Sequence, residues 1–401
     1  MMTNDLVKKT LKGYDAFDLP DYLQRVTAGT GGEAFLFFAK EVTVLHDCGM
    51  AYCYKGLIEN IEKALADHGR DHLDYILLSH THYDHVGALP YVLQRFPNAT
   101  VIGAYKAEKV FQSEGARRTM RRLGEAARDQ YSDSEEEVLT DGLRVDYIAK
   151  DGDMIELGNG EHIKVIESTG HTDCSLAYLL LPHSLMFTSE STGIPRPFGD
   201  LHTSILKNYH QTIEAAKKCK AEGAKHLLVP HYGLLPEELV EEYFDIYIDF
   251  AESEKNFIIG KHDEGMDYDQ IMKAYEGRYW SDKRSENQPK EAFLENAQHI
   301  VRHILPYFSG MSVSNDTVTV SFDRDKMWIN CKDKFESENF QLAGEDKVFY
   351  PAKAWLERSK VKVKCDKVPH PVAVRYGFEN YVAGDLFGED LPVSSFRSDN
   401  W

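Results

Sequence analysis

Residues 75–90, "YILLSHTHYDHVGALP", place three histidines and one aspartate within six positions of the chain. The apolar run YILL before them is typical of a buried strand, and a helical pattern follows near residues 86–96. Side chains alternate along an extended chain, so His80 and His82 face the same way, and the turn that follows brings Asp84 and His85 round. Imidazole and carboxylate groups are ligands of zinc-like ions. This loop is therefore predicted to hold metal rather than to be an ordinary polar turn.

The strand pattern extends on both sides of this loop and then changes character twice. Strand-like runs alternate with helical patterns over residues 1–235, which predicts an α/β layered domain. Apolar residues at helical spacing predict a helical extension over residues 236–305. Period-two runs such as DTVTVSF and KVKVKC predict a small all-β domain over residues 306–401. The glycine-rich stretch GTGGEAF lacks the spacing of a phosphate-binding loop and is interpreted as a hairpin turn.

The net charge, the hydropathy and the cysteine spacing limit which partners and which metal ligands are expected. The chain has 65 acidic against 46 basic residues, a net charge of −19, which argues against a nucleic-acid partner. Neither a signal-peptide core nor a run of about 18 apolar residues is seen, so a cytoplasmic location and no membrane partner are expected. The six cysteines show no CxxC spacing and are expected to be reduced thiols, so a metal has to rest on other ligands.

The segment HTHYDH resembles the HxHxDH signature of the metallo-β-lactamase superfamily. The later motifs of that family can be matched in order, each at the end of a predicted strand: VLHDCG with Asp47, ESTGHTDCSLAYLL with His171, LMFTSE with Glu190 and LLVPHYG with His231. The resemblance covers about residues 20–235. It implies the αββα sandwich of that family, followed here by the helical segment and the all-β domain.

The same resemblance implies two divalent metal ions, zinc by preference, with iron or manganese as alternatives. One ion would be held by His80, His82 and His171, and the other by Asp84, His85 and His231. Glu190 would bridge them, and Asp47 would orient a ligand from behind. Most family members carry aspartate in the fourth motif, and Glu190 is longer by about 1.5 Å. It can thus bridge a wider pair, bind one ion alone, or leave the second site weak.

The function implied is a metal-dependent hydrolase of a small molecule. A metal-activated water would attack a lactone, thioester, phosphoester or sulfate ester, with Asp84 holding or passing the proton. Tyr83, His202 and Tyr232 are candidate substrate contacts, and packing or an ordinary surface position is the alternative for each. An iron-dependent redox enzyme of the same fold and a non-catalytic metal- or ligand-binding protein are the alternative functions. A homo-oligomer is an additional expectation.

The last ninety residues carry a second resemblance. The segments FQLAGEDKVFYPAKAWLE, HPVAVRYGFEN and LPVSSFRSDNW are similar to the carboxyl-terminal β region of the sialate O-acetylesterase family, over about residues 312–401. The serine-bearing catalytic domain of that family has no counterpart here, so no catalytic residue is carried over. A packing or dimerisation module is predicted, with shaping of the metal cleft as the alternative.

Overall fold

The computed structural model describes several stretches of the chain, and the structural findings concern residues 19–196, 200–281, 290–306, 308–322, 327–329, 336–358, 360–378, 384–388, 391–393 and 395–401. These residues form two compact units. The first unit includes the described residues up to Ser253 and those of Ser281–Phe293, and the second includes Glu254–Trp280 and those of Leu294–Trp401.

Two six-stranded sheets lie at the centre of the first unit. The first sheet runs in sequence order, antiparallel from β1 to β3 and parallel from β3 to β6. Its strands are β1 Leu23–Arg25, β2 Phe35–Phe38, β3 Thr43–His46, β4 Tyr75–Leu77, β5 Thr100–Ala104 and β6 Tyr147–Ala149. The second sheet has the order β14-β13-β10-β9-β8-β7, with β10 and β13 parallel and the other pairs antiparallel. Its strands are β7 Met154–Gly158, β8 Glu161–Glu167, β9 Leu176–Leu181, β10 Leu185–Phe187, β13 His226–Val229 and β14 Gly233–Leu234. A separate pair is formed by β11 Ile194–Arg196 and β12 Asp200–His202.

Helices cover the outer faces of these sheets. The first five are α1 Tyr54–Asp67, α2 Tyr83–Val86, α3 Leu89–Arg95, α4 Tyr105–Gln112 and α5 Glu114–Tyr131, and α6 Tyr209–Ala221 packs against β8 of the second sheet. Strand β2 shows why the layers form, because Phe35 and Phe37 enter the core shared with the second sheet while Leu36 and Phe38 enter the core shared with the helices. The predicted αββα sandwich is confirmed.

Four helices and a set of antiparallel strands complete the described chain. The helices are α7 Glu237–Val240, α8 Tyr243–Asp263, α9 Tyr268–Tyr279 and α10 Lys290–Ile304. The strands are β15 Phe308–Ser314, β16 Thr317–Phe322, β17 Met327–Ile329, β18 Glu336–Ala343, β19 Phe349–Glu357, β20 Lys360–Lys364, β21 Ala373–Tyr376, β22 Leu386–Gly388, β23 Leu391–Pro392 and β24 Phe396–Arg397. Seven of them form one sheet in the order β15-β16-β20-β19-β18-β21-β24, and β17, β22 and β23 form another. The period-two pattern of β16 and β20 buries alternate valines in this unit's own core, which confirms the all-β expectation.

Two features of composition can also be compared with the structure. Among the described residues, no helix combines the length and the apolar character needed to cross a membrane. The described cysteines are free thiols, namely Cys48, Cys53, Cys174, Cys219 and Cys365, and Cys331 lies outside the described residues.

Candidate metal centre

The candidate ligands stand in loops that follow four strands. The loop after β4 supplies His80 and His82 and runs into α2, the loop after β8 supplies His171, and β13 is followed by His231. Glu190 begins a short 3-10 turn after β10. Tight turns of the backbone orient these side chains. The backbone at His231 has a φ of 55°, in the left-handed region. Such conformations of non-glycine residues persist where the surrounding structure imposes them, as at binding sites.

Three histidines form a first cluster, which consists of His80, His82 and His171. Their nearest ring nitrogens lie within 4.8 Å of one another. The Nδ1 atom of His82 is 3.0 Å from Nε2 of His80 and 3.0 Å from Nε2 of His171. Two nitrogens bound to one tetrahedral zinc ion at about 2.05 Å are about 3.3 Å apart. The spacing of the first cluster therefore fits ligands of a common ion.

A second cluster consists of Asp84, His85, Glu190 and His231. Oε1 of Glu190 lies 2.8 Å from Nε2 of His85 and 3.2 Å from Nε2 of His231, and those two nitrogens are 3.2 Å apart. Oδ2 of Asp84 is more distant, at 3.8 Å from His85 and 3.6 Å from His231. The side chains of Asp84 and His231 are 20% and 21% exposed, whereas those of His85 and Glu190 are 3% and 7% exposed. Solvent reaches the second cluster on the Asp84 side.

Asp47 fixes the ring of His85 from behind. Its Oδ2 accepts from Nδ1 of His85 at 2.8 Å and from Oγ of Ser79 at 2.6 Å, and its Oδ1 accepts from the Ser79 amide at 2.8 Å. A carboxylate only accepts, so His85 carries a proton on Nδ1, and its Nε2 atom faces Glu190. Two acceptor atoms 2.8 Å apart repel unless a cation, either a proton or a metal ion, is shared between them. The donor set therefore fits a metal ion.

The first cluster disfavours positive charge on its own rings. Burial, followed by the neighbouring His85, holds the pKa of His80 well below its usual value. Burial, followed by His171, lowers the pKa of His82 to about 3. Neutral imidazole is the form that binds a metal ion, so His80 and His82 are ready to act as ligands at neutral pH.

The second cluster, in contrast, favours the charged forms of its side chains. Burial lowers the pKa of His85, but the carboxylates of Asp84, Asp47 and Glu190 outweigh it and raise the pKa well above its usual value. Burial on its own would raise the pKa of Glu190. The neighbouring His171, His231 and His85 outweigh burial and hold the pKa of Glu190 well below its usual value. The second cluster thus presents carboxylates that attract a cation.

The three candidate substrate contacts differ in their access to solvent. Tyr83 is half-buried beside Asp84, and burial and then the Asp84 charge raise its pKa. His202 is 5% exposed, and Tyr232 has no exposed surface. Of these three side chains only Tyr83 is open to a ligand in this structure.

The structure adds residues that the motifs did not single out. Ser79 bonds Asp47 and lies with its Oγ 3.0 Å from Nδ1 of His80; its place directly before the HTHYDH motif was a signal that could have found it. Ser204 contacts His171 from a distant loop, and no sequence pattern pointed to it.

The stretch GTGGEAF joins β1 to β2 as a hairpin connection, but it also packs on the metal loop. A Cβ atom at Gly32 would lie 2.4 Å from the carbonyl oxygen of Asp84.

Comparison with known proteins finds a matching family model and several similar proteins. Residues 29–222 match the family model of the metallo-beta-lactamase superfamily. The metallo-beta-lactamase fold-containing protein ST1585 of Sulfurisphaera tokodaii is 26% identical over 246 residues, which cover 56% of this chain and 82% of that protein. Its crystal structure aligns with a TM-score of 0.44 at 22% identity, over 56% of this chain and 84% of that one.

Further solved structures show the same range of similarity. A metallo-beta-lactamase family protein of Thermus thermophilus, TTHA1429, gives a TM-score of 0.45 at 16% identity, covering 60% of this chain and 83% of that one. The subclass B3 metallo-beta-lactamase BJP-1 of Bradyrhizobium japonicum gives 0.44 at 16% identity, covering 65% and 100%. The similarity of residues 312–401 to sialate O-acetylesterases stays a prediction. Residues 29–222 match the metallo-β-lactamase superfamily, and the layered unit that contains them has the fold of that superfamily.

Proposed function

We propose that this protein is a metal-dependent hydrolase that cleaves an ester-like bond of a small molecule. The first cluster would hold one divalent metal ion and the second cluster another, with zinc as the preferred ion. The observation that carries the proposal is the gathering of seven imidazole and carboxylate side chains into two clusters, in each of which the candidate ligand atoms lie within 4.8 Å of one another. The 2.8 Å contact between His85 and Glu190 is one that a metal ion or a proton can occupy. Imidazole and carboxylate ligands are those that zinc prefers.

Glu190 is suited to serve both clusters. Its Oε1 faces His85, and its Oε2 lies 3.4 Å from Nε2 of His171 in the first cluster. The longer side chain, compared with the usual aspartate of the fourth motif, therefore supports a bridging role. When bound, two such ions supply a water of lowered pKa and polarise the oxygen of the bond to be broken.

Asp84 is the residue that would handle the proton of that water. Its carboxylate is the more weakly engaged of the two in the second cluster, and it is partly exposed to solvent. A carboxylate in that position can accept a proton from a water molecule and release it to bulk solvent. Tyr83, half-buried beside it, would donate a hydrogen bond to the substrate.

Removal and return of metal test the proposal. The protein stripped with a chelator is expected to lose turnover across a panel of lactone, thioester, phosphodiester and sulfate esters, and zinc is expected to restore it. His80→Ala should lower the zinc content, whereas His72→Ala, at an exposed position, should not. Full activity without metal would overturn the mechanism. Zinc binding without turnover of any of these substrates would show a metal-binding protein that is not a hydrolase of this class.

A further inference from the structure

We propose that Ser204 is a positioning residue for both clusters, and that its hydroxyl strengthens ion binding in the second cluster by orienting Glu190. The inference rests on the proposed two-ion function. Ser204 stands behind candidate ligands that are all histidine, aspartate or glutamate side chains. It touches one ligand of each, His171 in the first and Glu190 in the second.

The hydrogen bonds around Ser204 have a single consistent direction. Nδ1 of His171 lies 2.9 Å from the carbonyl oxygen of Ser204 and 2.9 Å from its Oγ. A carbonyl only accepts, so His171 donates from Nδ1 and keeps the lone pair of Nε2 for the first cluster. The hydroxyl of Ser204 then donates to Oε2 of Glu190 at 3.1 Å.

The hydroxyl thereby sets the rotation of the Glu190 carboxylate. With Oε2 held towards Ser204 and His171, Oε1 is directed at His85. Ser204 is 1% exposed, so solvent does not readily replace the bond. A carboxylate released from Ser204 can turn away, and an ion in the second cluster would then be bound less tightly.

The backbone at Ser204 is held in an uncommon conformation. Its φ is 56°, in the left-handed region, and the preceding carbonyl of Thr203 accepts from the hydroxyl of Tyr247 on α8 at 3.2 Å. Non-glycine residues adopt this region where surrounding contacts impose it. Here the conformation aims both the carbonyl oxygen and the hydroxyl of one residue at the clusters.

This geometry allows the two groups of Ser204 to be separated by mutation. Ser204→Gly keeps the carbonyl, suits a positive φ and removes only the hydroxyl. Ser184→Gly is a matched control, because Ser184 also has a positive φ, of 55°, and its Oγ also takes part in a hydrogen bond, accepting from the Lys225 amide. Ser184 precedes β10, whereas Glu190 follows the opposite end of that strand. Both variants are titrated with Co²⁺, whose visible absorption reports the coordination of each bound ion.

For the wild type we expect two ions to bind in one overlapping transition. For Ser204→Gly we expect the first ion to bind within about threefold of wild type, and the second roughly 10- to 100-fold more weakly, so that two phases separate. Ser184→Gly should titrate like the wild type.

Three results would overturn the inference. One is an unchanged Co²⁺ titration of Ser204→Gly. Another is an equal loss at both steps with a lower thermal midpoint of the metal-free protein, which would show a merely structural role. The third is the same separation of phases in Ser184→Gly. A wild type that binds fewer than two ions would instead refute the two-ion function itself.

Discussion

Glu190→Asp is the substitution whose outcome depends most directly on the observed distances. It retracts the carboxylate by one methylene, about 1.5 Å. Oε1 now lies 2.8 Å from His85 and 3.2 Å from His231, and the 3-10 turn that carries Glu190 is fixed by the Ser189 side chain, which accepts from the Ser191 amide. If the turn stays in place, those contacts lengthen to on the order of 4 Å, beyond hydrogen-bond or ligand range.

The expected loss can be bounded. A hydrogen bond to a charged group contributes about 1.5–3 kcal/mol, and each 1.4 kcal/mol is a factor of ten, so the ion of the second cluster should bind roughly 10- to 150-fold more weakly. Zinc content after dialysis should fall from two ions to one, and competition with a chromophoric chelator should give the change in affinity. Glu156→Asp, at an exposed position, serves as the control for the loss of a methylene. Retention of both ions at wild-type affinity by Glu190→Asp would refute the conclusion that the second cluster depends on the length of the Glu190 side chain.

Three other outcomes are expected. Asp47→Asn places an amide where both carboxylate oxygens accept, so zinc affinity measured by competition should fall roughly 10- to 100-fold, and an unchanged value would remove Asp47 from the support of His85. Gly32→Ala should lower the free energy of unfolding in denaturant by about 1–3 kcal/mol, because its Cβ meets backbone atoms, whereas Gly260→Ala, with open space around it, should not lower it. Because the raised pKa of His85 keeps a proton there at neutral pH, an ion has to displace it, so affinity at the second cluster should rise up to about tenfold per unit between pH 6 and pH 8. Because the lowered pKa of His82 leaves its ring neutral, protons do not compete with an ion there, and affinity at the first cluster should depend less on pH. An equal dependence of affinity on pH for the two ions would contradict this expectation.

Some features of the fold followed directly from local patterns in the chain. Alternating strand and helix signals predicted the layered domain, and the period-two runs predicted the β unit, because burial of one face imposes a period that short segments display. The helix expected near residues 86–96 is present as α3, but the short helix α2 before it was not expected, and a Cβ at Gly87 between the two would lie 2.6 Å from the Ala51 amide. That close approach comes from packing, which periodicity does not report.

The residue types of the candidate site were also readable, because each motif is a short run at the end of a strand. Their convergence was implied by the family resemblance and not by any local pattern, since His82 and His171 are 89 positions apart and meet only when the two sheets are in place. The role of Ser204 was not readable either, since its carbonyl and hydroxyl act through a backbone conformation that no side-chain pattern encodes. The chain's chemistry supplied imidazoles and carboxylates, and tertiary packing set the distances between them, because contacts between remote segments depend on the whole fold.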